Sequence, residues 1–414
     1  MMKGVDMTSS GSLYPDVVVA EPQQMQAVAV AQAVPVDAAV PVVGHMVSGE
    51  PLAQAVDHLP PSGAPSVPQS EALQTLSGRG FPRGLASEVV DSTRHFPIRL
   101  WIVDNSGSMQ STDGSRLVQA GGGAMRMIQS TRWQELSDTL AAVGEMACNL
   151  GARTDFLMLN RPPSGQPQFT TVGGDRHAHD GGAASMVPVL GPQLDAVQLR
   201  QMMASLQPSG GTPLTEAVMQ CISLLEPAVP SLTASGQQAV VVLATDGVPN
   251  DPHSFVQALQ HLQRLPVWLV VRLCTNDDNV VQYWSDLDRS LEAPLEVLDD
   301  EKGEAEEINA LNPWLTYGPP LHLAREFGLK HRLFDLLDER KLMPSQVREL
   351  CELLLGCGQL PEPELEWSAF LSALRSAVNA APSTVDPRSG RRRPWIDLGR
   401  IGSIRPGAVG CPCM

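Results

Sequence analysis

The sequence predicts an α/β protein: a Rossmann-like, mostly parallel sheet with helices on both faces, plus a C-terminal helical appendage and disordered N- and C-terminal arms. Three observations predict it. Short runs of Val, Leu and Ile are apolar at nearly every position, as strands buried on both faces must be. These runs alternate with segments whose apolar residues recur every three or four positions, the helical period. Composition also shifts near residues 95 and 380, setting the middle of the chain apart from its ends. With only 4% aromatics but 35 Gly and 35 Pro among 414 residues, one globular region is diluted by irregular sequence.

Residues 1–95 are rich in Val, Ala, Pro and Gln and hold no lasting period, so they read as a disordered arm. A β-prone docking segment is the alternative there, since Val17–Val19 and Val28–Val30 would suit a partner's sheet edge. Residues 96–300 form the predicted sheet domain. Ile98–Val103 (IRLWIV) is its first strand, ending in Asp104. Trp133–Leu150 has helical spacing and stops at Gly151. Phe156–Leu159 and Phe169–Val172 are the next strands, and 194–206 and 213–225 read as helices. Ala239–Ala244 (AVVVLA) is a fully apolar strand leading to Asp246. Helix 253–265, strand Val267–Cys274, helix 280–291 and strand Leu295–Leu298 complete the alternation. Residues 301–380 predict short helices at 321–327, 333–337, 347–355 and 367–378, with prolines near their starts. Residues 381–414 read as a basic flexible tail.

The formal net charge of −16 argues against a nucleic-acid binder. No uninterrupted apolar run reaches the roughly 18 residues a membrane span needs, and no signal peptide is expected at the N-terminus. Seven Cys over a long chain do not suggest a disulfide framework, so the expected compartment is the reduced cytoplasm. Charge is unevenly spread. Twelve carboxylates lie between Asp277 and Glu307, read as a solvated acidic face, whereas residues 384–414 carry six Arg against two Asp.

In a sheet of this kind, ligands sit at the carboxyl ends of the strands. Just past the first strand lies Asp104-Asn105-Ser106-Gly107-Ser108, a carboxylate and two hydroxyls at alternate positions. Just past the apolar strand 239–244 lies Asp246. Between them, Ser209-Gly210-Gly211-Thr212-Pro213 is a Gly-rich loop opening a helix. All five groups are oxygen donors, the chemistry of Mg²⁺, Mn²⁺ or Ca²⁺ rather than Zn²⁺. Each piece alone is commonly an Asx turn or a helix cap. Three in this order, each at a strand end or helix start, point to a site.

Asp104, Ser106, Ser108, Thr212 and Asp246 together resemble the metal-ion-dependent adhesion site of the von Willebrand factor A-type (vWA) domain family, over roughly residues 97–299. The stretch from Trp268 to about Phe327, with Asn312-Pro313-Trp314-Leu315, resembles intracellular eukaryotic members of the family. The resemblance implies that Ser106 and Ser108 bind the metal directly. Thr212, Asp104 and Asp246 would bind it directly or through water. Two carboxylates leave a divalent ion with capacity for another anionic oxygen, so the expected partner is a protein presenting an Asp or Glu carboxylate. No general base stands beside the motif, since Asn105, Gly107, Met109 and Gln110 do not shuttle protons; an interaction module, not an enzyme, is expected. The alternatives are an accessory subunit of a metal-dependent enzyme assembly, such as an ATPase complex, and a structural vWA domain whose site is unused.

Other features carry weaker readings. His177 and His179 sit in a Gly-rich insertion without further ligands, and Gly121–Gly123 lacks the Lys of a phosphate loop. Cys351 and Cys357 read as buried thiols, and Met202, Met203 and Met219 as core. The chain ends Cys411-Pro412-Cys413-Met414, which fits a prenylation signal in part. The upstream arginines would supply the second, electrostatic contact with a membrane surface.

Overall fold

The structure, a computed structural model, describes residues 67–119, 125–163, 165–174, 182–291 and 295–405. Two helices come first, α1 (Gln69–Gly78) and α2 (Arg83–His95), and lead into β1 (Ile98–Val103). Next come a hairpin, β2 (Gly114–Gln119) with β3 (Met125–Ser130), then α3 (Arg132–Leu150), β4 (Thr154–Met158) and β5 (Phe169–Val172). Helices α4 (Ala183–Met186), α5 (Ala196–Ser205), α6 (Leu214–Leu225) and α7 (Val229–Ala234) precede β6 (Ala239–Thr245). They are followed by α8 (Pro252–Leu262), β7 (Val267–Leu273), α9 (Asp278–Ser290) and β8 (Glu296–Leu298). Helices α10 (Glu301–Leu311), α11 (Pro319–Glu326), α12 (Arg332–Glu339), α13 (Pro344–Leu355) and α14 (Trp367–Ala380) complete the helical part. A small hairpin, β9 (Thr384–Asp386) with β10 (Arg391–Arg393), follows them.

Six strands form the central sheet in the order β5-β4-β1-β6-β7-β8. All neighbours are parallel except β5, which runs antiparallel to β4 at the edge. From β1 the chain first builds outward through β4 and β5, then returns to add β6, β7 and β8 on the other side. The topological switch point therefore lies between β1 and β6, whose carboxyl ends are in register with Val103 opposite Ala244. Every residue of β1, β4 and β6 is buried, and apart from Arg99 in β1, Thr154 and Asp155 in β4 and Thr245 at the end of β6 these strands are apolar throughout.

The two faces of the sheet are covered differently. One face, with Leu100, Ile102, Val241, Leu243 and Leu269, packs under α6, α8 and α9. The other, with Trp101, Val103, Val240, Val242 and Val270, packs under α1, α2, α3, α5 and the helices after residue 300. The C-terminal helices thus share a core with the sheet. The helical stretch 214–234 is apolar enough by composition to cross a membrane, with mean hydropathy 1.2. Its Leu214, Val218, Cys221, Ile222 and Leu225 are instead buried against the sheet.

Several expectations need correcting. The arm expected over 1–95 gives way from residue 69 onward to α1 and α2, and Leu85, Ala86 and Val89 are fully buried. Pro68 and Pro82 stand at the N-caps of these helices, where a missing N–H costs nothing, so they start helices rather than break them. Residues 1–66 lie outside the described residues. The expected flexible tail is folded as far as Arg405. Trp395 and Ile396 are buried, and main-chain bonds tie Thr316 N–H to Trp395 O (2.9 Å) and Asp397 N–H to Trp314 O (2.7 Å). Buried Asp386 consumes two of the tail's cations, pairing with Arg388 at 3.1 Å and Arg393 at 3.2 Å.

The acidic stretch 277–307 is only partly a solvated face, because Glu296, Asp300 and Glu304 are buried. Two of these buried acids share a cation from outside the stretch, Arg325. Arg325 meets Glu296 (2.7 Å), Glu304 (2.6 Å) and Asp338 (3.3 Å). Arg272, near the end of β7, meets two acids from outside the stretch, Glu135 (2.6 Å) and Glu326 (3.2 Å). Among the methionines read as core, Met202 and Met203 are buried but Met219 is 44% exposed. Cys351 is buried and Cys357 half-buried. Cys411, Gly121–Gly123 and the His177/His179 pair lie outside the described residues.

Candidate functional site

Three loops meet at the switch point. The first leaves β1 as Asp104–Gln110 and turns through a short 3₁₀ segment, Gly107–Gln110. Asp104 is fully buried and its Oδ1 accepts the Ser106 N–H (2.8 Å), an Asx turn that throws the Ser106 and Ser108 hydroxyls to one side. Its other oxygen accepts the Thr245 hydroxyl (2.7 Å), which reaches across from the end of β6. Burial pushes the Asp104 carboxyl above its usual range, against the pull of the hydrogen bonds from Thr245 and Ser106.

The second loop, 208–213, is bolted to the first. Gly107 N–H donates to Gly210 O (3.1 Å), Ser209 N–H to Asn105 O (2.8 Å) and the Gln110 amide to Pro208 O (2.7 Å). Asn105 and Asn160 form a reciprocal pair, Asn105 Nδ2 to Asn160 O (2.9 Å) and Asn160 N–H to Asn105 Oδ1 (2.7 Å). The Asn160 amide then donates to Gly211 O (2.8 Å). Gly210 has φ +96°, and a Cβ there would fall 2.5 Å from Asn160 Oδ1, so both conformation and space call for glycine.

The third loop brings Asp246. Ser106 Oγ and Ser108 Oγ lie 2.9 Å apart, and the Ser108 hydroxyl donates to Asp246 Oδ1 (2.8 Å). Thr212 flanks the same spot: its Oγ1 and Cγ2 lie 3.9 Å from where a Cβ on Gly247 would sit. The structure therefore gathers all five residues, four through hydrogen bonds and Thr212 through its position beside Gly247. Asp104, Ser106 and Asp246 are buried, Thr212 is half-buried, and Ser108 faces solvent.

Their oxygens fit a hard divalent cation. An octahedral shell with bonds of about 2.1 Å places adjacent ligand oxygens about 3.0 Å apart. The 2.9 and 2.8 Å separations along Ser106, Ser108 and Asp246 are of that size. Among the described residues no three His, Cys, Asp or Glu side chains converge as a metal site. Here two carboxylates are joined by three hydroxyls, a donor set suited to Mg²⁺ or Mn²⁺ and unsuited to softer metals.

Reasoning from the sequence missed one charged neighbour. Arg132, the first residue of α3, donates from Nη1 to Asp246 Oδ2 (2.9 Å). Its Nε and Nη2 grip both oxygens of Asp113 at 2.7 and 2.6 Å, and the Arg132 guanidinium holds the Asp113 carboxyl below its usual range. A capping box on Thr131 and Gln134 fixes the start of α3 and thus the reach of Arg132. The motif Thr-x-x-Gln was a visible helix-start signal. Nothing local tied Arg132 to an aspartate 114 residues away.

No family model and no curated protein matches the chain. Among solved structures, it is similar to the manganese-loaded TRAP protein of Plasmodium vivax at 14% identity and a TM-score of 0.29. That similarity covers 50% of this chain and 69% of the other. It is also similar to proximal thread matrix protein 1 of the mussel byssus at 13% identity and a TM-score of 0.25, over 42% of this chain and 37% of that one. Likenesses of this size bear on neither site nor partner.

Proposed function

We propose that this chain is a vWA-type interaction module that captures a carboxylate of a partner protein through a divalent cation. Ser106, Ser108, Thr212, Asp104 and Asp246 would hold that cation. The observation that carries the reading is the run of oxygens from Ser106 through Ser108 to Asp246, each within 2.9 Å of the next, at the switch point of a mostly parallel sheet. When bound, the metal would supply a positive centre for a further hard anionic oxygen. The protein's part is to hold the donors rigid, which the Asn105–Asn160 pair and the bonds to the 208–213 loop do. It also leaves Ser108 open to solvent. Binding rather than hydrolysis is favoured because Asp113, the extra carboxylate nearby, is clamped at both oxygens by Arg132 and is not free to take a proton.

Arg132 favours a second reading, in which its guanidinium is the cation Asp246 requires and the site stays closed. Titration of Mn²⁺, followed by electron paramagnetic resonance, separates the two. One saturable Mn²⁺ per chain, lost in Asp104→Ala and in Ser106→Ala, supports the metal module. Absence of saturable binding in the folded wild type supports the closed site. If metal binds, an affinity column carrying the protein should retain a carboxylate-bearing partner with Mg²⁺ and release it to a chelator. Retention that survives both chelator and Asp246→Ala would end the bridging mechanism.

Arg132 also sets a two-sided expectation for affinity. Arg132→Gln should tighten Mn²⁺ binding about threefold to tenfold by removing a competing charge. Asp113→Asn should weaken it by leaving the guanidinium nothing but Asp246 to hold. Equal affinities in all three proteins would show that Arg132 does not contend for the site.

A further inference from the structure

A cavity of about 840 Å³ lies beside α3, between the β2–β3 hairpin, the α1–α2 turn, α11 and the β9 strand. Its volume falls within the range of small-molecule sites. Phe81, Leu117, Met125, Met127, Pro320 and Leu323 give it apolar walls. One end is charged. The cavity lining carries five carboxylates, those of Glu135, Asp138, Asp300, Glu301 and Glu326, and four guanidiniums, those of Arg79, Arg116, Arg272 and Arg392, with the imidazole of His322. Arg272 is already committed to Glu135 and Glu326. His322 Nε2 sits 3.3 Å from Glu326 Oε1, and that carboxylate keeps the imidazole's pKa raised although burial works to lower it. Around Glu301 itself the strongest charges are the carboxylates of Glu326, Asp300 and Glu135, opposed by the imidazole of His322, so negative charge is in local excess there even with His322 protonated.

Glu301 concentrates that excess. Its Oε1 is buried and has no hydrogen-bond partner, an expensive condition for a carboxylate. Burial pushes its carboxyl up to about 7, with Glu326 and Asp300 adding to the rise and His322 opposing it. The other arginines of the lining are engaged elsewhere or exposed: Arg116 is paired with Asp138 at 2.5 Å, Arg79 reaches Glu145 at 3.6 Å while its Nη1 stays buried without a hydrogen-bond partner, and Arg392 is exposed.

We infer that this cavity is a binding site for a small amphipathic amine, its ammonium group on the Glu301 carboxylate and its apolar body between Met125, Met127 and Leu323. The inference does not depend on the metal site, and the charge balance gives its sign. A protonated amine supplies the donor that Glu301 lacks, whereas an anion would add to the excess negative charge. An alcohol of the same shape would satisfy one hydrogen bond but leave that excess in place.

The test uses the full chain with ¹³C-methyl-labelled methionine, Met125→Leu and Met127→Leu serving to assign the two wall methyls. Phenethylamine is titrated against 2-phenylethanol and 3-phenylpropanoate, which carry the same phenethyl body. The amine should shift the Met125 and Met127 methyls saturably, and the alcohol and the acid should bind at least about tenfold more weakly. Glu301→Gln should weaken the amine by about tenfold while leaving the alcohol unchanged. Leu117→Trp, which fills the cavity from its wall, should abolish binding of all three and serves if Glu301→Gln fails to fold. Equal binding of the acid or the alcohol, an amine affinity untouched by either variant, or shifts confined to other methionines would each overturn the assignment.

Discussion

The two faces of the central sheet are buried to the same degree by different chemistry. Under α6, α8 and α9 the contact is apolar throughout the middle strands: Leu100, Ile102, Val241, Leu243, Leu269 and Val271 meet Val218, Ile222, Phe255 and Leu259. On the opposite face three arginines interrupt the apolar rows, Arg99 in β1, Arg272 in β7 and Arg325 in α11, each less than 3% exposed. An apolar face tolerates repacking, because one methyl group can stand in for another. A face that buries charges tolerates only the arrangement in which every charge finds its partner, because a stranded one is costly. The C-terminal helices are thereby held to one register on the sheet, while the helices opposite are held by area alone.

The largest test of this contrast is Arg325→Met. It leaves Glu296 and Glu304 buried without their cation, and urea denaturation should record a loss of about 3–5 kcal/mol. Adding Glu296→Gln and Glu304→Gln to it should restore much of that loss; a triple variant no better than Arg325→Met would mean that packing, not charge, sets the cost. On the apolar face Leu243→Ala should cost about 2–5 kcal/mol by cavity formation, with no second-site change of charge able to repair it.

A third test uses pH. Burial pushes Asp299 and Glu301 up to about 7, well above their unfolded values. The folded state then holds protons that the unfolded state has released, so this contribution is complete near pH 4 and disappears as pH rises to about 8. Glu326, held below its usual value by His322 and Arg272 against its burial, works in the opposite sense and weakens the fold in acid. The urea midpoint should therefore fall between pH 5.5 and pH 8, and a midpoint that rises over that span would contradict the buried-acid account.

The smallest effect is expected at Arg99. Its guanidinium bonds only the carbonyls of Phe96 (2.8 Å) and Phe327 (3.1 Å) and the Ser92 hydroxyl, and lies 4.0 Å over the Phe327 ring. Burial lowers its pKa to about 9. Arg99→Met strands no opposite charge, so it should change stability by no more than about 1.5 kcal/mol. A loss as large as that of Arg325→Met would remove the distinction between paired and unpaired buried cations.

How much of this was legible follows from the range over which each signal acts. β1 and β5 begin and end where the apolar runs place them, and the five oxygen-bearing residues that the fold brings together could be picked out because each sits one turn past a strand or before a helix. The network around Arg325 could not, because Glu296 and Glu304 look like any other acids in a run of twelve. Their cation comes from a different helix. The available clue was Arg272 inside the run VWLVVRLC, since a charge amid an apolar strand needs a buried partner. The Asn105–Asn160 pair escaped notice for the same reason: its halves lie 55 residues apart.

Trp395 and Ile396 carry a practical consequence for anyone shortening the chain. A truncation at residue 380, where composition invites it, would remove two fully buried side chains together with Ile401 and the strand-like bonds to Trp314 and Thr316. The exposed indole of Trp314 and the vacated hollow beneath it would form a sticky patch, and the product should aggregate during expression rather than behave as a minimal domain. A cut after Arg405 keeps that clasp closed.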